Sequence, residues 1–138
     1  MKKTYYAHFG NRQRSCGVLT ASYRELDCET LGIGLAYCSP KDQFVKAKGR
    51  MIADRRRDSR ACIMTTRKDG QSILEAVAEG INGFIGADQR VPKWARNTRV
   101  VAARHIGNVL IDKRNMDLVA PVHMAAGRLA KLQEEANE

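Results

Sequence analysis

Residues 30–60 read TLGIGLAYCSPKDQFVKAKGRMIADRRRDSR, and the change of period inside this stretch decides the fold. Leu31, Ile33, Leu35 and Tyr37 alternate with Gly32, Gly34, Ala36 and Cys38. This is the two-residue period of a strand with one bulky face and one nearly bare face. A bare face allows another element to approach closely. Ser39-Pro40-Lys41-Asp42 then has the chemistry of a helix start. Ser39 can cap, Pro40 suits the first helical position and Asp42 completes a capping box, which predicts a helix running to about Arg57.

On such a helix Lys46, Arg50 and Arg57 fall along one stripe with only Gly49 and Ala53 beside them. Phe44, Val45, Met51 and Ile52 lie on the other side as its apolar face, interrupted by Lys48 and Arg55. A solubilising surface usually mixes signs. Here Lys41, Lys46, Lys48, Arg50, Arg55, Arg56, Arg57, Arg60, Arg67 and Lys68 face only Asp42, Asp54 and Asp58. Clustered arginines favour phosphate or carboxylate, which the planar guanidinium grips through two parallel bonds. With Lys46, Arg50 and Arg57 on a solvent-accessible stripe, Arg50→Ala and Arg57→Ala should leave the melting temperature nearly unchanged.

Outward from this centre, residues 4–9 (TYYAHF) and 16–23 alternate as two strands joined by Gly10-Asn11-Arg12 turn chemistry. Residues 61–66 (ACIMTT) form a fourth strand, closed by Lys68-Asp69-Gly70-Gln71. Ser72 to Glu75 is a second capping box, and Ile73, Leu74, Val77, Ile81, Phe84 and Ile85 recur at helical spacing. After a break at residues 88–92, Trp94, Val101, His105, Ile106 and Val109 predict a third helix, from which Arg96, Arg99 and Arg104 stand away. Residues 112–117 read as a loop, and residues from Val119 to about Glu135 as a last amphipathic helix. The expected fold is α+β: one domain over 1–138, sheet-rich over 1–67 and helical over 72–135. Its N-terminal antiparallel sheet carries helices on one face. Trp94, Met116, Leu118 and Val119 would leave apolar surface exposed, so self-association into a homo-oligomer is expected.

The chain has 138 residues and a net charge of +9, from 24 Lys and Arg against 15 Asp and Glu. Long-range attraction therefore selects phosphate-bearing partners over acidic ones. No apolar run is long enough to span a bilayer or to act as a secretion signal, so a cytoplasmic protein without a membrane partner is expected. The four cysteines show no metal or redox spacing, and reduced, mostly buried thiols are expected. His8, His105 and His123 are scattered, and His105 sits on an apolar helix side where a satisfied core histidine is the expectation. Gly32-Ile33-Gly34 lacks the third glycine of a dinucleotide fingerprint and lies inside a strand. Asp54 and Asp58 share a helix face among arginines, which makes them ion-pair partners before catalysts. An enzyme, a cofactor and a metal are not expected.

Binding through cations and a few aromatics remains. A nucleic acid would be tracked by many phosphate contacts, with Tyr5, Tyr6, Phe9 or Tyr23 available for stacking. A compact nucleotide needs a concave pocket with a few arginines, an aromatic and an amide, for which Arg50, Arg57, Phe84, Arg96 and Asn97 are candidates. The phosphate-binding set is Lys46, Arg50, Arg57, Arg60, Arg96 and Arg99, and the base-binding set is Phe84 and Asn97. A third possibility is a protein that blocks a macromolecular machine of a host cell by presenting the basic helix.

The segment from Ser39 to Arg57, SPKDQFVKAKGRMIADRRR, is similar to segments of small bacteriophage proteins in which a strand enters a helix of the form SPKDxFxKxxGRxIAxxR. The family it resembles is the first type of Thoeris anti-defence proteins. The resemblance implies an N-terminal antiparallel sheet with C-terminal helices, assembled as an oligomer in the host cytoplasm. It also implies a protein without catalysis that sequesters cyclic ADP-ribose-type signals released by host TIR-domain enzymes. Arg50 or Arg57, Phe84, Asn97 and Arg114 would then hold phosphates and base between subunits.

Overall fold

The structure, a computed structural model, describes residues 3–10, 17–60, 62–87, 90–103, 107–113 and 117–119. Strands β1 (Thr4–Phe9), β2 (Val18–Glu25), β3 (Thr30–Cys38) and β4 (Ile63–Thr66) form one antiparallel sheet in the order β1-β2-β3-β4. The β2 to β3 turn is closed by Asp27, whose carboxylate accepts from the Glu29 and Thr30 amides at 2.9 and 2.8 Å. Registers Tyr6 to Ser22 to Gly34 and His8 to Thr20 to Ala36 put the small and polar side chains on one face. Registers Ala7 to Ala21 to Leu35 and Phe9 to Leu19 to Tyr37 put the bulky ones on the other.

Both faces are covered, whereas one covered face was expected. Helix α2 (Ile73–Ala87) lies on the bulky face, where Ala76, Val77, Ile81 and Ile85 join Phe9, Leu19, Leu31 and Ile33 in the main core. Its predicted cap is present: the Glu75 amide donates to Ser72 Oγ at 3.1 Å. Helix α1 (Lys46–Arg57) lies on the bare face. There a Cβ on Gly34 would overlap the Ala53 carbonyl oxygen and the Arg57 amide, and one on Gly49 would sit 2.8 Å from Thr20 Oγ1. The bare face of β3 is thus the seat of its own following helix.

That seat reverses the expected orientation of α1. Gly49, Ala53 and Arg57, at i, i+4 and i+8, face the sheet. Met51 and Val45 are each 47% exposed, and only Phe44, just before the helix, is buried as expected. A flat strip of small residues approaches a flat sheet face more closely than bulky side chains could, so the small side of the helix turns inward. The helix also starts later than its capping box indicates. Ser39 to Asp42 form a turn, with the Asp42 amide donating to the Ser39 carbonyl at 3.0 Å. Phe44 then packs edge-on against the buried His8 ring at 5.4 Å, and Val45 is extended, which delays the first helical residue to Lys46.

The predicted third helix is short. Helix α3 spans Lys93–Arg96, after which β5 (Thr98–Ala103), β6 (Gly107–Asp112) and β7 (Asp117–Val119) make a second antiparallel sheet in that order. Thr98 and Val100 are buried while Arg99 is exposed, the alternation of a strand built from β-branched residues. Asn82 on α2 completes the open side of β5: its Oδ1 accepts from the Val100 amide at 2.8 Å and its Nδ2 donates to the Val100 carbonyl at 2.9 Å. Local periodicity could not foresee this pairing. Trp94 is half-buried against the core, with its ring on Gly17, so it is not the exposed surface expected for self-association. The side chains of Met116, Leu118 and Val119, together with His105, His123 and the predicted final helix beyond residue 119, lie outside the described residues. Among the described residues no helix is long and apolar enough to cross a membrane. Cys28, Cys38 and Cys62 are free thiols, but Cys28 is exposed in the β2 to β3 turn and the others are half-buried, so burial is less than expected.

Candidate functional site

Arg57 does not belong to a solvent-accessible stripe. It is 8% exposed and its guanidinium is committed within the protein. Nη1 donates to Ser22 Oγ at 2.6 Å and Asp54 Oδ1 at 3.0 Å, while Nε and Nη2 grip the Asp58 carboxylate at 3.1 and 3.2 Å. Ser22 in turn donates to Asp54 Oδ1 at 2.6 Å and Tyr6 to Asp54 Oδ2 at 2.8 Å. This network fastens α1 to β1 and β2. Its physical origin is burial: a guanidinium carried onto a sheet must be neutralised and hydrogen-bonded there.

The other predicted residues divide among separate places. Arg50 is exposed, its guanidinium 5.8 Å from the centre of the Tyr6 ring. Lys46 is half-buried at the first turn of α1, and Arg60 is exposed just beyond its end. Arg96 is exposed on α3, and Asn97 donates to the Lys93 carbonyl at 3.1 Å as part of the end of that short helix. Arg99 lines a shallow groove of about 190 Å³ that also carries Glu75 and Glu79, an acidic setting unsuited to phosphate. Phe84 alone lines a basic hollow. Arg114 lies outside the described residues. Of the proposed stacking aromatics, Phe9 and Tyr23 are buried in the core, whereas Tyr5 and Tyr6 are 37% and 40% exposed.

The hollow around Phe84 arises from sheet topology. Strand β4 accompanies β3 only from Thr30 to Ile33, so among the described residues this edge of β3 is unpaired from Gly34 onward. Arg56 covers it: Nη1 donates to the Leu35 carbonyl at 2.7 Å, and the guanidinium lies 5.4 Å from the centre of the Tyr37 ring. Beside Arg56 opens a pocket of about 380 Å³ lined by Leu35, Tyr37, Ile63, Phe84, Arg90 and Pro92. An apolar floor, two aromatic rings and two arginines on facing segments suit a ligand with a planar apolar part and an anionic part. Of the residues named from the sequence for a nucleotide pocket only Phe84 lines this one; Arg56, Arg90 and Tyr37 stand where Arg50, Arg57 and Arg96 were expected, and Asn97, the expected amide, is not among its lining residues. Arg56 lay within the basic run, but no sequence signal marks the place where β4 stops.

Neither a family model nor a curated protein nor a solved structure matches this chain.

Among the described residues no group of three or more His, Cys, Asp or Glu is placed to hold a metal ion. A second hollow, of about 350 Å³ between α1 and the turn before it, is lined by Thr20, Cys38, Asp42, Phe44, Lys48 and Ile52 among others. Burial, and then the nearby Asp42 carboxylate, push the Cys38 thiol up from its usual range. At neutral pH it stays protonated, which does not favour a nucleophile.

Tyr6 yields a pH-dependent expectation. Desolvation, then the hydrogen bond and charge of Asp54, raise its pKa above the tyrosine norm, and burial and then Tyr5 do the same for Tyr23. The folded protein therefore holds both phenolic protons more tightly than the unfolded chain. Their contribution to stability is complete below a pH of about 10 and falls as pH rises through the raised values. Urea unfolding at pH 9 and 11 should show this loss, and Tyr6→Phe should make the difference smaller. An unaltered difference in Tyr6→Phe would mean that the Tyr6 to Asp54 bond does not couple to folding.

Proposed function

We propose that the chain is a non-catalytic binding protein that sequesters a phosphate-bearing signalling nucleotide in the pocket beside Arg56. The single observation that supports this is the convergence of Arg56 and Arg90 with Tyr37 and Phe84 around about 380 Å³ at the edge of β3 beyond Ile33. Arg56 is oriented before any ligand arrives, because the Leu35 carbonyl and the Tyr37 ring already hold it. Less side-chain freedom is then lost on binding. The resemblance of Ser39 to Arg57 to the anti-defence family supports a ligand of cyclic nucleotide or cyclic ADP-ribose type, captured to counter a host defence. Self-association belongs to the same proposal, with Met64 (63% exposed) and Leu26 (45%) as apolar surface that a second copy would cover. Light scattering giving a mass above the 15.4 kDa chain would support that part.

A thermal-shift panel of cyclic AMP, ADP and ADP-ribose tests the pocket. A hundredfold excess of a bound compound over its dissociation constant adds about 2.7 kcal/mol to stability. Arg56→Gln should weaken that capture about tenfold or more, since a charge-assisted hydrogen bond contributes about 1.5–3 kcal/mol, and Phe84→Ala by about five- to a hundredfold, since stacking of a base on an aromatic ring contributes about 1–3 kcal/mol. The compound should be recovered intact after incubation. No shift across the panel, or shifts in both variants as large as the parent's, would reject the site, and turnover of the compound would reject the sponge.

A further inference from the structure

A different surface points to a different ligand. Because Gly49, Ala53 and Arg57 face the sheet, the opposite side of α1 carries Ala47, Lys48, Met51 and Arg55 outward, with Arg50 on its flank. Lys48, Arg50, Met51 and Arg55 are all exposed. The only acid within α1 is Asp54, and its carboxylate is already engaged by Arg57, Ser22 and Tyr6. Among the described residues no ion pair is formed by Lys48, Arg50 or Arg55. Three cations therefore stand outward on this helix with no ion-pair partner among the described residues, and a further acid, Asp42, shares the second hollow with Lys48. Surface helices that serve only solubility mix both signs.

We infer that this face of α1 binds duplex DNA through its phosphates. An α-helix is about 10–12 Å in diameter and the major groove of a duplex about 12 Å wide, so an exposed ridge can lie along it. Lys48 and Arg55 are seven residues apart, hence on one face and separated by about 10 Å along the axis, a length over which B-DNA presents about six charges. A single strand would need a free aromatic platform as well. The exposed aromatic next to α1 is Tyr6, and Arg50 covers its ring while Asp54 holds its hydroxyl. Binding is therefore through the backbone and indifferent to sequence.

Fluorescence anisotropy of the full chain with a labelled duplex of about 20 base pairs, between about 50 and 200 mM NaCl, tests the inference. Three neutralised phosphates give a slope of log K against log salt near −3. The Lys48→Ala/Arg55→Ala double variant should bind at least tenfold more weakly, with the slope reduced by about 2 and the melting temperature unchanged. The Lys48→Ala/Arg55→Ala double variant, whose side chains do not line the nucleotide pocket, should keep the parent's thermal shift with the nucleotide panel, so the two proposals fail separately. No duplex binding at the lowest salt would overturn the inference, as would equal affinity and slope in the double variant. Capture by phosphatidylserine vesicles or polyglutamate without capture by duplex would overturn it too.

Discussion

Gly34→Val should lower stability by about 3 kcal/mol or more and the melting temperature by roughly 10 °C. At this position the backbones of β3 and α1 touch. A Cβ would overlap the Ala53 carbonyl oxygen and the Arg57 amide, and would lie 2.9 Å from Arg57 Cα. All three atoms are backbone in the C-terminal turns of α1, so no rotamer change can relieve the overlap. The helix must lift, and lifting it withdraws Arg57 from Ser22 and Ala53 from the sheet. The contrasting variant is Gly83→Ala on α2, where a Cβ meets nothing within 4 Å. There the change should be neutral or stabilising by up to about 1 kcal/mol, because alanine has less freedom to lose in a helix than glycine. Thermal and urea unfolding of the two variants decide the matter. A Gly34→Val protein that melts like the parent would show that α1 is not seated on β3.

Arg57→Met comes next, with an expected loss of about 3 kcal/mol. Methionine keeps much of the buried stem but leaves Ser22, Asp54 and Asp58 without their shared donor. Breaking a buried pair by removing one partner costs about 3–5 kcal/mol. The low end applies because the Asp54 and Asp58 side chains keep 34% and 63% of their exposure and regain water. A double-mutant cycle with Asp54→Asn should return a coupling above about 1 kcal/mol, which a merely adjacent residue would not. The stripe reading of the sequence instead expects Arg57 replacements to leave melting unchanged. If Arg57→Met does so, the guanidinium lies in water and phosphate capture by Arg57 is open again.

The two variants share a cause with the corrections to the candidate site. Lys46, Arg50 and Arg57 were grouped because helical spacing aligns them, and the alignment holds. What spacing cannot supply is which way the aligned face points. Charge argues for solvent and smallness argues for contact, and Gly49, Ala53 and Arg57 carry both signals at once. The bare side of β3 resolved the conflict in favour of contact, and the acids Asp54 and Asp58 made it tolerable. Phe84 was legible as an aromatic near cations. Its actual companions, Arg56, Arg90 and Tyr37, come from three different segments, so no local pattern could have gathered them.

Alternation over residues 4–9 and 31–38, the Ser72 cap and the apolar periodicity of α2 were readable directly, because each depends on neighbours within a turn or a pleat. The alternation of Gly32, Gly34 and Ala36 also announced a close approach before its partner was known. Trp94, Val101, His105 and Val109 satisfy helical spacing, yet residues 98–103 form a strand, because its partners are β6 and the side chain of Asn82, reached only in the folded chain. Amino-acid order thus determined which stretches could be helix or strand and the net charge of +9. The fold decided where that positive charge lies, since neutralising Arg57 beneath α1 and leaving Arg50, Arg55 and Arg60 exposed follow from contacts between residues 20 to 50 positions apart, whose free energy no local segment carries.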